Sequence, residues 1–295
     1  MGTVDAKAEG DDKGTVDVEA AGDGESTLDV EAKGANGTLL DVRNIGKQFG
    51  GLAALSEVDF HVDEGEILGL IGPNGAGKTT FFNVISGLLR PTTGTVVFKG
   101  EDITSLKFHK VASKGLVRTF QLTVLFNEMT VLENVVTAHH LHYRSGWLST
   151  LFASRNESQQ MQSSAIEILE FLGLDHLKDE TTQNLPHGHQ RLLGVAIGMA
   201  ARPELLFLDE PVTGMNPEEA QEMMGIIRRL RDDRKMTVVL VEHNVRVVMG
   251  VCDRIVVLSF GRKIAQGLPQ EISDNQAVIE AYLGSGDLVA KPADD

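Results

Sequence analysis

Cysteine is almost missing: Cys252 is the one thiol in 295 residues. An internal disulfide is therefore excluded, and the composition fits a reducing compartment. Aromatic residues make up only 5% of the chain, yet 42% is apolar, so aliphatic side chains must build the core. Long hydrophobic runs are missing as well. The longest, Leu192–Ala201, is too short to cross a bilayer, and no basic, apolar leader opens the sequence. Neither a membrane span nor a signal peptide is expected. Positive charge is scarce: 27 lysines and arginines stand against 42 acids, for a net charge of −15. That balance argues against a nucleic-acid binder held by phosphate contacts. The length suits one large domain with a subdomain, or two domains.

The acidity is uneven. Residues 1–37 hold ten acids, three lysines and no aromatic residue. They repeat with a period of twelve: GTVDAKAEGDDK, GTVDVEAAGDGE, STLDVEAKGANG. Each unit offers too few small aliphatics to stack as a solenoid or to offset the entropy of ordering it. A disordered acidic tail is expected. Deleting residues 1–37 should leave the melting temperature and any catalytic rate nearly unchanged; a loss of several degrees would show that the repeats pack on the body.

The most informative stretch is GEILGLIGPNGAGKTTFFNVISGLL. Glu66–Ile71 reads as a short buried strand and Thr80–Leu89 as a helix. Between them, Gly72-Pro73-Asn74-Gly75-Ala76-Gly77-Lys78-Thr79 fits the pattern G-x-x-x-x-G-K-[ST] without a mismatch. Strand, glycine-rich loop and helix are the context that this motif requires. Glycines let successive backbone N–H groups face a phosphate, and the helix N-terminus adds its positive dipole. Lys78 is placed to reach the β- and γ-phosphates and the Thr79 hydroxyl to sit on Mg²⁺.

Downstream, PELLFLDEP supplies the missing carboxylates. Leu205–Leu208 reads as a strand, and Asp209 stands at its carboxyl end, where open α/β sheets place ligands. Asp209 is a candidate for holding Mg²⁺, and Glu210 for general base toward a water. Next, Asn216-Pro217 reads as an N-cap and first-turn proline, with Met223, Ile226, Ile227 and Leu230 as the buried stripe of the helix. TVVLVEH then forms a β-branched strand that ends in Glu242–His243. His243 is placed to meet a γ-phosphate. NLPHGHQRLLG leaves a question open, because His187–Gly188–His189 reads either as half of a metal site or as part of something else. His109, His139, His140, His142 and Cys252 do not fall at zinc-ligand spacing from the pair.

Taken together, GPNGAGKTT, RTFQ, LPHGHQ, LFLDEP, GMNP and VEH occur in an order that resembles the ATP-binding subunits of ABC transporters. Over residues 39–284 the likeness is greatest to the branched-chain amino acid importer group, through RTFQ, LFNEMTVLENV and EAYLG in particular. The resemblance implies that Phe49 stacks on adenine and that Gly72 to Thr80 (Gly72, Pro73, Asn74, Gly75, Ala76, Gly77, Lys78, Thr79, Thr80) hold the phosphates. It implies that Gln121 touches Mg²⁺ and the water while linking the site to a transmembrane partner. Asn216 matches the position usually held by aspartate in the loop before its helix, and His243 the switch histidine. LPHGHQ then stands in place of the signature L-S-G-G-Q: Leu185, Gly188 and Gln190 keep the pattern, while Pro186, His187 and His189 depart from it. In the family this segment presents backbone N–H groups, here that of Gly188, to the ATP bound on a second subunit. Leu192 and Ile197 also replace the usual basic residues.

The expected fold is an α/β P-loop core of the ABC ATPase type, with an antiparallel β edge near residues 39–65. The expected division is a tail over 1–37, an ATP-binding domain over 38–285 with a helical subdomain at about 122–200, and a C-terminal tail over 286–295. ATP and Mg²⁺ are the expected ligands. A second ATP-binding subunit, identical or not, transmembrane permease subunits and, indirectly, an extracytoplasmic solute-binding protein are the expected partners. The expected place is the cytoplasmic face of the membrane, peripherally bound. Urea-uptake and lipopolysaccharide-export relatives share much of this pattern. ABC ATPases of translation or DNA repair usually carry two cassettes or a long coiled-coil insertion, and this chain has neither. Lys78, Thr79, Asp209, Glu210 and His243 argue against a regulatory module that holds ATP without hydrolysing it, while Pro186, Leu192 and Ile197 speak mildly for one.

Overall fold

The computed structural model describes residues 37–119, 125–143 and 155–283. The acidic repeat up to residue 36, Gln121, residues 144–154 of the polar insertion, and everything beyond 283 lie outside the described residues.

The chain opens with a hairpin, β1 (Thr38–Phe49) and β2 (Leu52–Asp63), turned by Gly50 and Gly51. Gly50 adopts φ +58°, which such two-residue turns require and side chains resist. β1 also pairs antiparallel with β4 (Thr93–Phe98), which carries the short β5 (Glu101–Asp102), so the sheet runs β2-β1-β4-β5. The antiparallel edge expected near 39–65 thus recruits a strand some thirty residues further on. Register explains it: Leu40, Val42 and Ile45 are buried on one face of β1, and Val96 and Phe98 join them in the same apolar cluster.

The second sheet is built on β3 (Ile67–Ile71), β6 (Leu116–Arg118), β7 (Leu205–Asp209), β8 (Thr237–Val241), β9 (Arg254–Ser259) and β10 (Arg262–Gly267), in the order β10-β9-β3-β8-β7-β6. The five strands from β9 to β6 run parallel and β10 returns antiparallel along the edge. Both faces are covered, which is why the strands read as unbroken aliphatic runs rather than alternating ones. Leu68, Leu70, Phe207, Val239 and Leu258 face α1 (Lys78–Ile85) and the first sheet. Ile71, Leu206, Leu208, Leu240 and Val257 join a second cluster with the helices α3 (Val131–Tyr143), α4 (Arg155–Leu172), α5 (His187–Ala200), α6 (Pro217–Asp232) and α7 (Val245–Val251).

Both ends of α1 differ from the sequence reading. It starts at Lys78 rather than Thr80 and stops at Ile85 rather than Leu89, because the Ser86 hydroxyl bonds back to the Phe82 carbonyl and Gly87 turns left-handed at φ +76°. Tyr143 closes α3, and residues 155–160 belong to α4. α3, α4 and α5 pack on one another, with Val135, Ala165, Leu169 and Leu193 at their shared core. α2 (Phe108–Ser113), α8 (Pro269–Ser273) and α9 (Gln276–Leu283) complete the described chain. No helix among the described residues is long and apolar enough to cross a membrane.

Candidate functional site

The loop between β3 and α1 is shaped by close approach. A Cβ on Gly72 would lie 2.2 Å from the Leu258 carbonyl oxygen, so only glycine lets the chain leave β3 beside β9. Gly77, the residue before α1, is left-handed at φ +100°, and a Cβ there would meet the Ala54 carbonyl at 2.8 Å. The loop is tied down from outside: Gly261 N–H donates to the Ala76 carbonyl at 2.9 Å, and Ser56 N–H to the Gly261 carbonyl at 2.8 Å. No side chain caps α1, and its first turn holds no acid. The orphan N–H groups of its first turn are therefore left for an anion. Lys78 is buried, and its ammonium donates to the Gly72 and Pro73 carbonyls at 2.5 and 3.2 Å. It is folded back on its own loop.

This loop floors a cleft of about 390 Å³ lined by Asn74, Gly75, Ala76, Gly77, Lys78, Thr79 and Thr80, with Glu210 at one side. Leu52, Ala53, Ala54, Phe260 and Gly261 supply an apolar end. Phe260 is 90% exposed on a left-handed backbone, φ +46°, a combination that is strained for a bulky side chain.

The carboxylates Asp209 and Glu210 stand at the end of β7, and His243 follows the end of the adjacent β8. Asp209 closes β7 and is nearly covered; burial raises its pKa, and the Arg118 guanidinium, 2.9 Å away, opposes that rise. Glu210 takes φ +49°, held by its N–H donating to the Val241 carbonyl at 2.8 Å. This strain is local to the site, where such strain is found. Its carboxylate accepts from the Thr213 hydroxyl at 3.3 Å and lies 3.5 Å from His243 Nδ1. His243 is half exposed, so its ring can turn toward a ligand.

Not every expected residue reaches the cleft. Phe49, 46% exposed at the end of β1, has the Lys47 ammonium 5.1 Å over its ring; its hairpin partner Leu52, not Phe49, lines the cleft. Asn216 caps α6 in a reciprocal pair with Glu219, each side chain accepting the other's N–H at 2.9 Å. Gly188 lies in the first turn of α5, against Glu219: a Cβ on it would stand 2.8 Å from the Glu219 carboxylate. The His176 ring lies 6.5 Å from that of His189, edge to face, and among the described residues no three metal-binding side chains cluster.

Two residues went unassigned in the sequence. Glu242 is fully buried and accepts N–H bonds from Val212, His243 and Asn244 at 3.1, 3.2 and 3.4 Å. Its carboxylate thus fastens the segment after Glu210 to the segment carrying His243, while burial raises its pKa. A polar residue before His243 was the only hint. Arg118 opens the quoted RTFQ, but nothing in the sequence pairs it with Asp209 across 91 positions.

Comparison with known proteins agrees with this geometry. Residues 55–213 match the ABC transporter family, and residues 262–287 match the branched-chain amino acid ATP-binding cassette transporter family. The high-affinity branched-chain amino acid transport ATP-binding protein BraF of Pseudomonas aeruginosa is 42% identical over 240 residues, 80% of this chain and 94% of BraF. A probable branched-chain amino acid transport ATP-binding protein, LivG of Archaeoglobus fulgidus, is 41% identical over 83% of this chain and 95% of its own length. The crystal structure of an ATP-binding cassette of an ABC transporter in its ADP conformation aligns with TM-score 0.75 and 32% identity, covering 84% of this chain and 99% of that one. Phosphate loop, strand-end carboxylates, sheet order and these likenesses agree: the chain belongs to the ABC transporter family, as an ATP-binding subunit whose ATPase powers transport.

Proposed function

We propose that this chain hydrolyses MgATP in the cleft between its phosphate loop and Glu210, and that the energy drives import of branched-chain amino acids through separate permease subunits. The observation that carries the catalytic reading is the meeting of Glu210 and His243 beside Lys78 and the uncapped start of α1. The substrate reading rests on the match at residues 262–287 and on the relatives' names.

Binding starts with phosphate oxygens taking open N–H groups of the loop and of the first turn of α1, while Ala76 N–H stays on the Pro73 carbonyl, and with Lys78 exchanging its two loop carbonyls for the β- and γ-phosphates. The donors suit magnesium: Thr79 through its hydroxyl and Asp209 through its carboxylate would hold the ion with hard oxygens. When bound, the ion neutralises charge on the phosphates. Glu210 takes a proton from the attacking water as its oxygen bonds to the γ-phosphorus and the bond to the ADP oxygen breaks. His243, braced by Glu210, donates to the γ-phosphate, and Gln121 senses the same water. Catalysis of this kind is positioning and charge stabilisation. Phe49, one strand turn from the cleft, reaches the adenine by rotation of an exposed side chain.

Gly188 and Asn216 lie off this chain's own cleft, which fits a head-to-tail dimer in which each α5 N-terminus serves the partner's ATP. Peripheral attachment at the cytoplasmic face follows from the same reading, with residues after Gln121 and the α3–α5 region as the permease-facing surface. Pro186 caps α5 without any side-chain bond. The combined change Pro186→Ser, His187→Gly, His189→Gln should therefore raise ATPase activity or ATP-driven dimerisation several-fold while leaving ATP affinity of the monomer unchanged. The serine hydroxyl restores a cap and a phosphate donor worth about 1.5–3 kcal/mol if fully used. Equal activity in wild type and triple variant, measured as phosphate release, would remove the signature role from this segment.

The substrate reading is tested in vesicles in which the chain is reconstituted with branched-chain amino acid permease subunits. ATPase activity should rise on adding leucine-loaded binding protein. A rise with urea or lipopolysaccharide and none with leucine would replace the substrate while keeping the ATPase.

A further inference from the structure

Arg118 is 8% exposed, an unusual depth for a guanidinium, and it sits where three parts of the site meet. Its Nη2 donates to Asp209 Oδ2 at 2.9 Å, and its Nη1 to Asn83 Oδ1 at 2.5 Å. Its plane lies 4.5 Å over the ring of Phe82, which itself packs edge-on against Phe207 of β7 at 4.7 Å. Asn83 and Phe82 belong to α1, the helix that starts at Lys78; Asp209 closes β7; Arg118 itself ends β6, three residues before Gln121. The next residue continues the tie, Thr119 donating its N–H and its hydroxyl to the Phe207 carbonyl at 2.9 and 3.1 Å.

We propose that Arg118 is a positioning residue that holds the Asp209 carboxylate charged and aimed at the magnesium position, and locks that aim to α1 and to the segment leading into Gln121. The proposal rests on the reading of Asp209 as the magnesium carboxylate. The chemistry favours arginine. A fork with several donors satisfies Asp209 and Asn83 at once, and its flat face stacks on Phe82; a lysine ammonium supplies the charge but neither the second bond in that plane nor the stack. Asp209 is 10% exposed at its side chain and Arg118 6%, so each is the other's main compensation for lost water. Asp209 offers Oδ2 to Arg118, so Oδ1 is not used in that bond. A change at the phosphates that moves α1 or Asp209 therefore acts on the end of β6 as well.

Arg118→Lys and Arg118→Met in the full chain test this, with two readouts. At fixed ATP, the Mg²⁺ concentration for half-maximal hydrolysis should rise about tenfold or more in Arg118→Met and less in Arg118→Lys, while ATP affinity in EDTA stays within twofold of wild type. A residue that only stabilises the fold would leave the Mg²⁺ dependence of the folded protein unchanged, and that result overturns the proposal. Because Arg118→Met strands a buried carboxylate, urea unfolding of the nucleotide-free protein is measured in a double-mutant cycle with Asp209→Asn. The double variant should be at least tenfold more stable in its folding constant than the sum of single effects allows. Additive effects overturn the pairing whatever the kinetics show. If Asp209→Asn alone leaves the Mg²⁺ dependence unchanged, the magnesium reading of Asp209 fails, and the cycle alone still decides whether Arg118 holds that carboxylate.

Discussion

Glu210→Gln leaves ATP bound and unhydrolysed. The substitution keeps size and shape, and at φ +49° glutamine meets the same backbone as glutamate. The contacts it weakens are those to Thr213 at 3.3 Å and to the half-exposed His243 at 3.5 Å, so stability should change by under about 1 kcal/mol. The amide cannot accept the water's proton. Loss of a general base costs about 10²–10⁴-fold, and the hydrolysis rate should fall by that factor. ATP affinity should hold, because Lys78 and the N–H groups of α1 are untouched, and the trapped nucleotide should favour the dimer. Phosphate release and equilibrium dialysis on the same preparation check both halves. Hydrolysis within twofold of wild type would end the assignment of Glu210 as base.

The second large effect is expected at Lys78. Its ammonium is held by the carbonyls of Gly72 and Pro73, two residues of the loop it serves. These contacts keep a charged group in a buried position and place it within a short swing of the phosphates. Lys78→Ala removes the one ammonium that lines the cleft among the described residues. A charge-assisted bond contributes about 1.5–3 kcal/mol, so ATP affinity should fall by roughly 10- to 150-fold. The fold should survive, since both carbonyls then open onto a cleft that water can enter. Tight ATP binding by Lys78→Ala, in a calorimetric titration, would mean that the nucleotide sits elsewhere.

Much of this site was legible because its chemistry is contiguous in the chain. Gly72 to Thr79 form a local device whose glycines, lysine and hydroxyl must follow a strand and open a helix, and they do. Asp209 and Glu210 were legible for a similar reason: an aliphatic run that stops at two acids marks the carboxyl end of a buried strand. The Asn216 cap was readable from Asn-Pro-Glu-Glu, and the structure adds its reciprocal bonds to Glu219. Contacts between distant segments were not. Arg118 and Asp209 are 91 residues apart, Glu242 and Val212 thirty, and no local rule pairs them. The apolar end of the cleft was missed because Leu52 opens β2 and Phe260 lies in the β9–β10 turn, some two hundred positions away, and only the fold brings both to one cleft. Phe260 lacks the local cue of a left-handed turn, since phenylalanine is a poor residue for it. The helix end at Ile85 was misplaced because Leu88 and Leu89 keep an apolar spacing, while Ser86 and Gly87 decide the backbone.

The central claim is that one cleft binds ATP through Lys78 and cleaves it through Glu210. Single-turnover reaction of γ-labelled ATP with excess full-length protein and Mg²⁺ tests it most directly, run on wild type, Glu210→Gln and Lys78→Ala together. The account predicts labelled phosphate released by wild type, labelled ATP retained intact on Glu210→Gln, and little label bound by Lys78→Ala. Labelled phosphate formed at the wild-type rate by either variant would contradict it.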